Sequence, residues 1–209
     1  MLFRSITAAL ALDWAQQPVN VQPAHWAQRL SYVRGFARYC SASDPRTQIP
    51  SPGLLPFQPK RARPYLYSGE EINSLLCASL NMSHRYKSCA LLPWVYYCLF
   101  GLLSVTDLRI GEAQNLKVQD VDLEAAVLTI RSAKFGKTRL IPLHFSTSKV
   151  LADYIDRRQR HWAGRSVSPY LFVSSWGNRL DSAQIHRAFY RLSRQTGLRG
   201  ESDSHGPRL

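Results

Sequence analysis

The first 42 residues carry apolar side chains at the three- and four-residue spacing of helices. This pattern predicts two helical segments, separated by breaks at Pro18 and Pro23. Its apolar positions are Ile6, Leu10, Trp14, Trp26, Leu30, Val33, Phe36 and Ala37. The polar face of the second segment carries Arg29, Arg34 and Arg38, which form either a solvated face or a contact for a polyanion.

Residues 44–67 interrupt this helical pattern. Prolines at positions 45, 50, 52, 56, 59 and 64 oppose regular structure, and the segment "PKRARP" includes the basic residues Lys60 and Arg61. The composition predicts a linker between a helical domain over residues 1–43 and a second domain over residues 68–209. A linker with this charge suits a path across a phosphate backbone.

The second domain is predicted to open with a helix. Ser68 and Glu71 have capping-box spacing, in which each side chain accepts a hydrogen bond from the other residue's backbone N–H, and the helix extends to about Ser79. The uncharged stretch "SCALLPWVYYCLFGLLSVT" is long enough for a membrane span, but Pro93 near its start favours a buried core helix. The following "TDLRIGEAQNLK" predicts a helix from Thr106.

The remainder alternates between strand and helix patterns. "AVLTI" (126–130) and "TRLIPL" (138–143) predict two strands joined by the turn "RSAKFGK". Helices are predicted over 146–161 and 181–196, with the short apolar segment "YLFVS" between them. On the last helix, Ile185, Phe189 and Leu192 face inward, and a second face carries Arg187, Arg191 and Arg194.

The net charge indicates a polyanionic partner. Lys and Arg number 27 against 14 Asp and Glu, which gives +13 and a pI of about 10.0. Both domains are basic, so the positive charge is not confined to a basic tail. Nucleic acid is therefore the favoured partner, and surface charge that is merely scattered is the alternative. The four cysteines show no C-x-x-C spacing, which argues against a disulfide framework or a zinc site. Asp13 and Trp14 argue against a signal peptide.

Arg109 is the strongest candidate for chemistry. Leu108 and Ile110 flank it, and Glu112 lies within reach three residues on, so the guanidinium should be held in a fixed orientation suited to a phosphate. The turn between the predicted strands presents Lys134 and Lys137 around Gly136. A fixed arginine and a turn lysine together outline a phosphoryl-transfer site.

Residues 106–143, "TDLRIGEAQNLKVQDVDLEAAVLTIRSAKFGKTRLIPL", resemble the central motif of the tyrosine recombinases, the phage integrase family. The pattern of that family is T-G-L-R-x-x-E-A-x-x-L, D-x-D, a strand, K-x-x-K-x-R and V-P-L. The resemblance implies a mainly α fold with a small antiparallel β-sheet. It combines a helical, SAM-like core-binding domain with a mixed α/β catalytic domain.

The resemblance implies that DNA is cut and rejoined through a 3'-phosphotyrosyl bond without metal or nucleotide cofactor. Arg109 corresponds to the first catalytic arginine and Lys134 to the lysine that protonates the departing 5'-oxygen, with Glu112 orienting the site. Lys137 is expected to contact the DNA backbone, although the two lysines could exchange roles. Asp107 stands where the family usually has glycine, so a positive φ is expected there. Further DNA contacts are expected from Arg34, Arg38, Lys60, Arg61, Arg139, Arg187, Arg191 and Arg194.

The closing "HGPRL" resembles the family's approach to its second catalytic box, H-x-x-R, rather than the box itself. His205 and Arg208 are therefore not expected to be the catalytic pair, since Gly206 and Pro207 favour a turn. A second arginine and a nucleophilic tyrosine would follow in the family, so a catalytic domain truncated at its C-terminal end, without strand cleavage, is expected.

The expected partner is double-stranded DNA. A homo-oligomer on DNA is expected for a complete recombinase, and the resemblance implies a bacterial cytoplasmic location without membrane contact. Two other interpretations stay open: a non-catalytic DNA-binding protein, and a decayed fragment of a mobile-element integrase. A type IB topoisomerase shares the chemistry, but the helical N-terminal region and "GPRL" fit recombinases better.

Overall fold

The computed structural model describes residues 5–55, 64–83, 89–131 and 138–200. The chain divides into two compact units, Met1–Pro64 and Tyr65–Leu209. Six of the basic residues singled out in the sequence lie outside the described ranges: Lys60, Arg61, Lys134, Lys137, His205 and Arg208.

The first unit contains the two expected helices, α1 (Ala8–Gln16) and α2 (Pro23–Cys40). The Thr7 hydroxyl accepts a hydrogen bond from the Leu10 N–H and caps α1, and Pro23 begins α2 at a position where no donor is needed. The core between them is small and formed mainly by Ala11, Ala15 and Leu30. Several larger side chains of the apolar pattern are exposed, with Leu10 at 49%, Trp14 at 39% and Phe36 at 60%.

The described part of the proline-rich segment packs against these helices. The Ser5 hydroxyl donates to Asp44 at 2.8 Å, and the Gln48 N–H donates to the Ile6 carbonyl at 2.8 Å. Arg34 donates through Nε and Nη2 to the carbonyls of Pro50 and Ser51. Residues up to Leu55 therefore have fixed partners in the first unit, although they form neither helix nor strand.

The second unit is built around α4 (Leu92–Val105), the uncharged helix of the sequence pattern. Val95 and Leu99 are completely buried, which confirms a core helix, and no helix within the described ranges is long and apolar enough to cross a membrane. Helix α4 packs against α3 (Gly69–Leu80) and α6 (Phe145–Trp162), and α3 also contacts α7 (Ser182–Gln195). The predicted capping box of α3 is present, with Ser68 and Glu71 bonded reciprocally.

A small antiparallel sheet follows the short helix α5 (Ile110–Asn115) and a 3-10 turn at Val118–Asp120. Its strands are β1 (Val121–Asp122), β2 (Val127–Ile130) and β3 (Arg139–Pro142), in that order. Leu128 pairs with Ile141, and both are buried against the helices. The mainly α class with a small antiparallel sheet is thus confirmed. Pairing of Ile130 with Arg139 places the ends of β2 and β3 at the two sides of residues 132–137.

Candidate functional site

Arg109 lies immediately before α5 and is the N-cap residue of that helix. Its backbone is extended (φ −77°, ψ 151°), and Leu108 beside it is buried. The Arg109 side chain itself is 66% exposed. The helix begins at Ile110 and not at Thr106 as predicted, because α4 ends in extended backbone at Thr106 and the Glu112 carboxylate caps α5 at the Arg109 N–H. A buried neighbour therefore anchors an arginine that faces solvent.

Glu112 joins two arginines. Its Oε2 accepts from the Arg109 backbone N–H at 2.9 Å and from Arg139 Nη2 at 2.9 Å. Its Oε1 accepts from Arg109 Nη1 at 3.3 Å. The side chain of Glu112 is only 10% exposed, so this carboxylate is largely withdrawn from water and needs these donors. The orienting role expected of Glu112 has a geometric basis here.

Asp107 provides a second carboxylate for Arg139. The Arg139 Nη1 lies 3.1 Å from Asp107 Oδ2, and Nη2 donates to the Asp107 carbonyl at 3.3 Å. The expected positive φ at Asp107 is wrong, since Ala126 (φ 53°) is the only non-glycine residue with positive φ within the described ranges. The departure from glycine adds an acceptor for Arg139, and no left-handed backbone is required at this position.

The other side of the hairpin is held by Asp120. This residue is 4% exposed, and its carboxylate accepts from Arg131 Nε at 2.7 Å and from the Lys117 N–H at 3.0 Å. Arg131 follows β2 and Arg139 begins β3. Ion pairs with Asp120 at one strand and with Asp107 and Glu112 at the other therefore flank the sequence segment that contains Lys134 and Lys137. Sequence reasoning missed the Asp120–Arg131 pair, although the D-x-D motif at 120–122 marked the position.

Replacement of Asp120 by alanine is expected to lower the free energy of unfolding by about 2 kcal/mol, because a buried acceptor with one charged and one backbone donor is lost. Asp122→Ala is the matched control. Asp122 is exposed, and among the described residues its carboxylate accepts only from the Ala125 N–H, so its loss should cost about 0.5 kcal/mol. Urea unfolding followed by circular dichroism measures both, and equal losses would contradict the anchoring role of Asp120.

Helix α7 presents the basic face predicted from sequence. Ile185, Phe189 and Leu192 are buried as expected, while Arg187, Arg191 and Arg194 are exposed. None of these three arginines forms an ion pair or side-chain hydrogen bond within the part of the chain that the structure describes, so their donors are available for an anionic ligand. Arg139 differs, because Asp107 and Glu112 engage it.

The expected contacts of the first unit fall into two groups. Arg38 is exposed on α2, whereas the guanidinium of Arg34 is directed at backbone carbonyls of the proline-rich segment. Arg38 is the better placed of the two for an external phosphate. These assignments, like those of Arg139 and the α7 arginines, stay predictions.

Four of the described tyrosines are weak candidates for a nucleophile. Burial raises the pKa of Tyr96 and of Tyr154, whose hydroxyl donates to the Leu171 carbonyl at 2.8 Å. Burial likewise raises the pKa of Tyr67 to about 12, and a hydrogen bond to Glu71 raises that of Tyr65. A raised pKa disfavours the phenolate, so none of these four is activated for attack on phosphorus.

Residues 68–209 match the sequence model described as the phage integrase family. The chain belongs to that family. The matched residues include Arg109, Glu112, both strands of the hairpin and α7, whereas Arg34 and Arg38 precede the matched residues.

Two relatives show how far the similarity of this integrase-family chain extends. The protein y4rB of Sinorhizobium fredii, whose name assigns it to the integrases and recombinases, is 67% identical over 204 residues, which are 98% of this chain and 65% of y4rB. The tyrosine recombinase XerC of Chlamydia caviae is 28% identical over 183 residues, covering 85% of this chain and 54% of XerC. The chain therefore spans less than two thirds of the length of either relative.

Solved structures of recombinases share the fold of this phage integrase family chain. A lambda integrase tetramer bound to a Holliday junction gives a TM-score of 0.68 at 18% identity, covering 98% of this chain and 54% of that one. XerH bound to a palindromic difH substrate gives a TM-score of 0.66 at 19% identity, covering 93% and 54%. At these identities the likeness supports the fold and carries no residue role.

Proposed function

We propose that this chain binds duplex DNA as part of a site-specific recombinase and contributes Arg109 to its phosphoryl-transfer site. The observation that carries the proposal is the exposed Arg109 guanidinium, whose backbone and Nη1 are both held by the largely buried Glu112. Because its side chain is already held in place, such an arginine can donate hydrogen bonds to two non-bridging phosphate oxygens without a further loss of conformational freedom. The family relatives named as recombinases, and the lambda integrase crystallised on DNA, support this choice of substrate.

In the proposed reaction, a tyrosine oxygen attacks the scissile phosphorus and the 5'-oxygen of the next nucleotide leaves. Arg109 stabilises the negative charge that builds on the non-bridging oxygens, and Lys134 gives its proton to the departing oxygen. The energy of the broken phosphodiester is retained in the phosphotyrosyl bond, so neither a metal ion nor a nucleotide is required. Assembly of several copies on DNA belongs to the same proposal, because strand exchange needs more than one cut.

The 209-residue polypeptide alone is proposed to bind DNA without cutting it. This part rests on the tyrosines, since four of those described have a raised pKa and are disfavoured as phenolates. The three exposed arginines of α7, which have no ion-pair partner among the residues that the structure describes, favour binding independently of any cleavage. A non-catalytic DNA-binding protein is therefore the second candidate function, which the same test addresses.

The test uses the purified chain and a pool of nicked duplexes with randomised sequence around the nick. A nick beside the cut site releases a short fragment and traps a covalent protein–DNA adduct. We expect no adduct on a denaturing gel, but a complex in native gels whose log affinity falls by about 0.9 per tenfold rise in salt for each neutralised phosphate. A covalent adduct mapped to a tyrosine would contradict the proposal that this chain does not cut DNA. An affinity that does not change with salt would contradict the proposal that it binds the DNA phosphates.

A further inference from the structure

We propose that Arg139 is a positioning residue for Arg109, that it acts through Glu112, and that Asp107 is its second anchor. The family resemblance had placed Arg139 among the residues expected to contact DNA. The structure assigns it a different task, at the junction of β3 with the start of α5. This inference rests on the proposed function, because it takes Arg109 to be the group that binds a DNA phosphate.

The guanidinium of Arg139 is occupied by protein oxygens. Nη1 contacts the Asp107 carboxylate at 3.1 Å, and Nη2 contacts Glu112 Oε2 at 2.9 Å and the Asp107 carbonyl at 3.3 Å. Its Nε is buried and has no hydrogen-bond partner within the described ranges. Because both Nη atoms are engaged and Nε is shielded, few N–H donors of the guanidinium remain for a phosphate.

Glu112 transmits the effect of Arg139 to Arg109. The same oxygen, Oε2, accepts from Arg139 Nη2 and from the Arg109 backbone N–H, while Oε1 accepts from Arg109 Nη1. Arg139 therefore fixes the carboxylate that fixes Arg109. Movement of β3 would displace Oε2 and loosen both the backbone and the side chain of Arg109.

Charge gives the second reason for the arrangement. Arg109 and Arg139 face Glu112 and Asp107, so two positive charges meet two negative ones. Without Arg139 the two carboxylates would be left beside Arg109, where they would attract its guanidinium and repel an incoming phosphate. Arg139 neutralises them and leaves the charge of Arg109 available to DNA.

The geometry needs an arginine at position 139. A lysine there would keep the positive charge, but a single ammonium group cannot span Asp107 and Glu112 as a planar guanidinium does. A residue that merely contacts the DNA backbone through its charge would tolerate this substitution. Arg139→Lys therefore separates positioning from direct contact.

The experiment is a double-mutant cycle on DNA affinity, measured by fluorescence anisotropy with a mixed-sequence duplex at low salt. Arg109→Ala alone is expected to weaken binding about tenfold, as for loss of a charged hydrogen-bond donor. In the Arg139→Met background, Arg109→Ala should weaken DNA binding less than about threefold, because an Arg109 that is not held in position contributes little to affinity. Arg139→Lys keeps the neutralising charge, so it should lose less affinity than Arg139→Met, but it should still bind several-fold more weakly than the unchanged chain.

Arg131→Lys is the matched control. Arg131 lies at the other end of the hairpin and pairs with Asp120, with no contact to Glu112, so the cost of Arg109→Ala should be unchanged in its background. Asp107→Gly supplies a variant that leaves both arginines in place and removes only the outer anchor. Because this change also removes a negative charge that repels phosphate, its deciding readout is the cost of Arg109→Ala, which is expected to fall in the Asp107→Gly background. Melting temperatures of every variant show whether it is folded.

The outcomes separate this inference from the proposed function. If Arg109→Ala leaves DNA affinity unchanged, the phosphate-binding role of Arg109 fails, and the inference fails with it. If Arg109→Ala weakens binding, but its cost is the same in every background and Arg139→Lys binds like the unchanged chain, only the positioning role is overturned. A smaller cost in the Arg139→Met and Asp107→Gly backgrounds, with no change in the Arg131→Lys background, supports the inference.

Discussion

Replacement of Arg187, Arg191 and Arg194 together by glutamine is expected to weaken duplex DNA binding by about two to three orders of magnitude at 0.1 M salt. Three exposed guanidinium groups, spaced along one face of α7 and free of intramolecular ion pairs within the described ranges, are lost at once. If each neutralises one phosphate, the slope of log affinity against log salt falls by about 2.7. Anisotropy titrations at four or five salt concentrations measure both quantities.

The control for this prediction removes the same charge from α6 and the residues after it. Lys149, Arg160 and Arg165 are also exposed, and their replacement by glutamine likewise lowers the formal charge from +13 to +10. This variant should retain most of the salt slope. Equal losses of DNA affinity in the two triple variants would mean that binding depends on net charge and not on the basic face of α7.

Replacement of Phe189 by alanine is expected to lower the free energy of unfolding by about 3–5 kcal/mol. Phe189 is 2% exposed, and its ring packs edge-on against Tyr67 at 6.2 Å and Phe100 at 5.8 Å between centroids. Its removal leaves a cavity where α7 meets the core. Because domains are stable by only about 5–15 kcal/mol, the second unit should approach the limit of stability.

Phe145→Ala is the control for Phe189→Ala, since Phe145 is 77% exposed at the first position of α6 and should change stability by no more than about 0.5 kcal/mol. Urea unfolding measures the difference. A cooperative transition of the second unit is also expected from its continuous core, whereas a broad transition of that unit would favour the decayed-fragment interpretation. A small effect of Phe189→Ala would show that α7 is not held by this core.

Much of the second unit could be predicted because its signals are local. The Ser68–Glu71 box, the uncharged α4 and the alternation of apolar and basic positions on α7 each lie within one turn or one helix, and each formed as expected. In the first unit, helix positions were predictable but burial only in part, since Leu30 and Ala37 are buried. A two-helix core lined by alanines is too small to cover Leu10, Trp14 and Phe36.

The site was predictable only in part, for a related reason. Arg109 and Glu112 are three residues apart, so their contact follows from helix geometry. Arg139 and Asp107 are 32 residues apart, and the pairing of β2 with β3 brings them together. Neither composition nor spacing reveals such a contact. The role of Arg139 therefore became visible only when the register of the sheet was known.

The cap of α3 determines where the two units can be separated experimentally. Glu71 accepts from the Ser68 N–H at 2.7 Å and also from the Tyr65 hydroxyl, so the first residue of the second unit is bonded to its first helix. The hydrogen bond from Tyr65 and the bonds from Ser68 hold the pKa of the Glu71 carboxyl below its usual value, so the cap stays ionised at a lower pH than an ordinary glutamate would. A polypeptide that starts at Tyr65 keeps this arrangement, whereas one that starts at Gly69 discards it. Expression from Tyr65 would thus allow the DNA affinity of the family domain to be measured without the first unit.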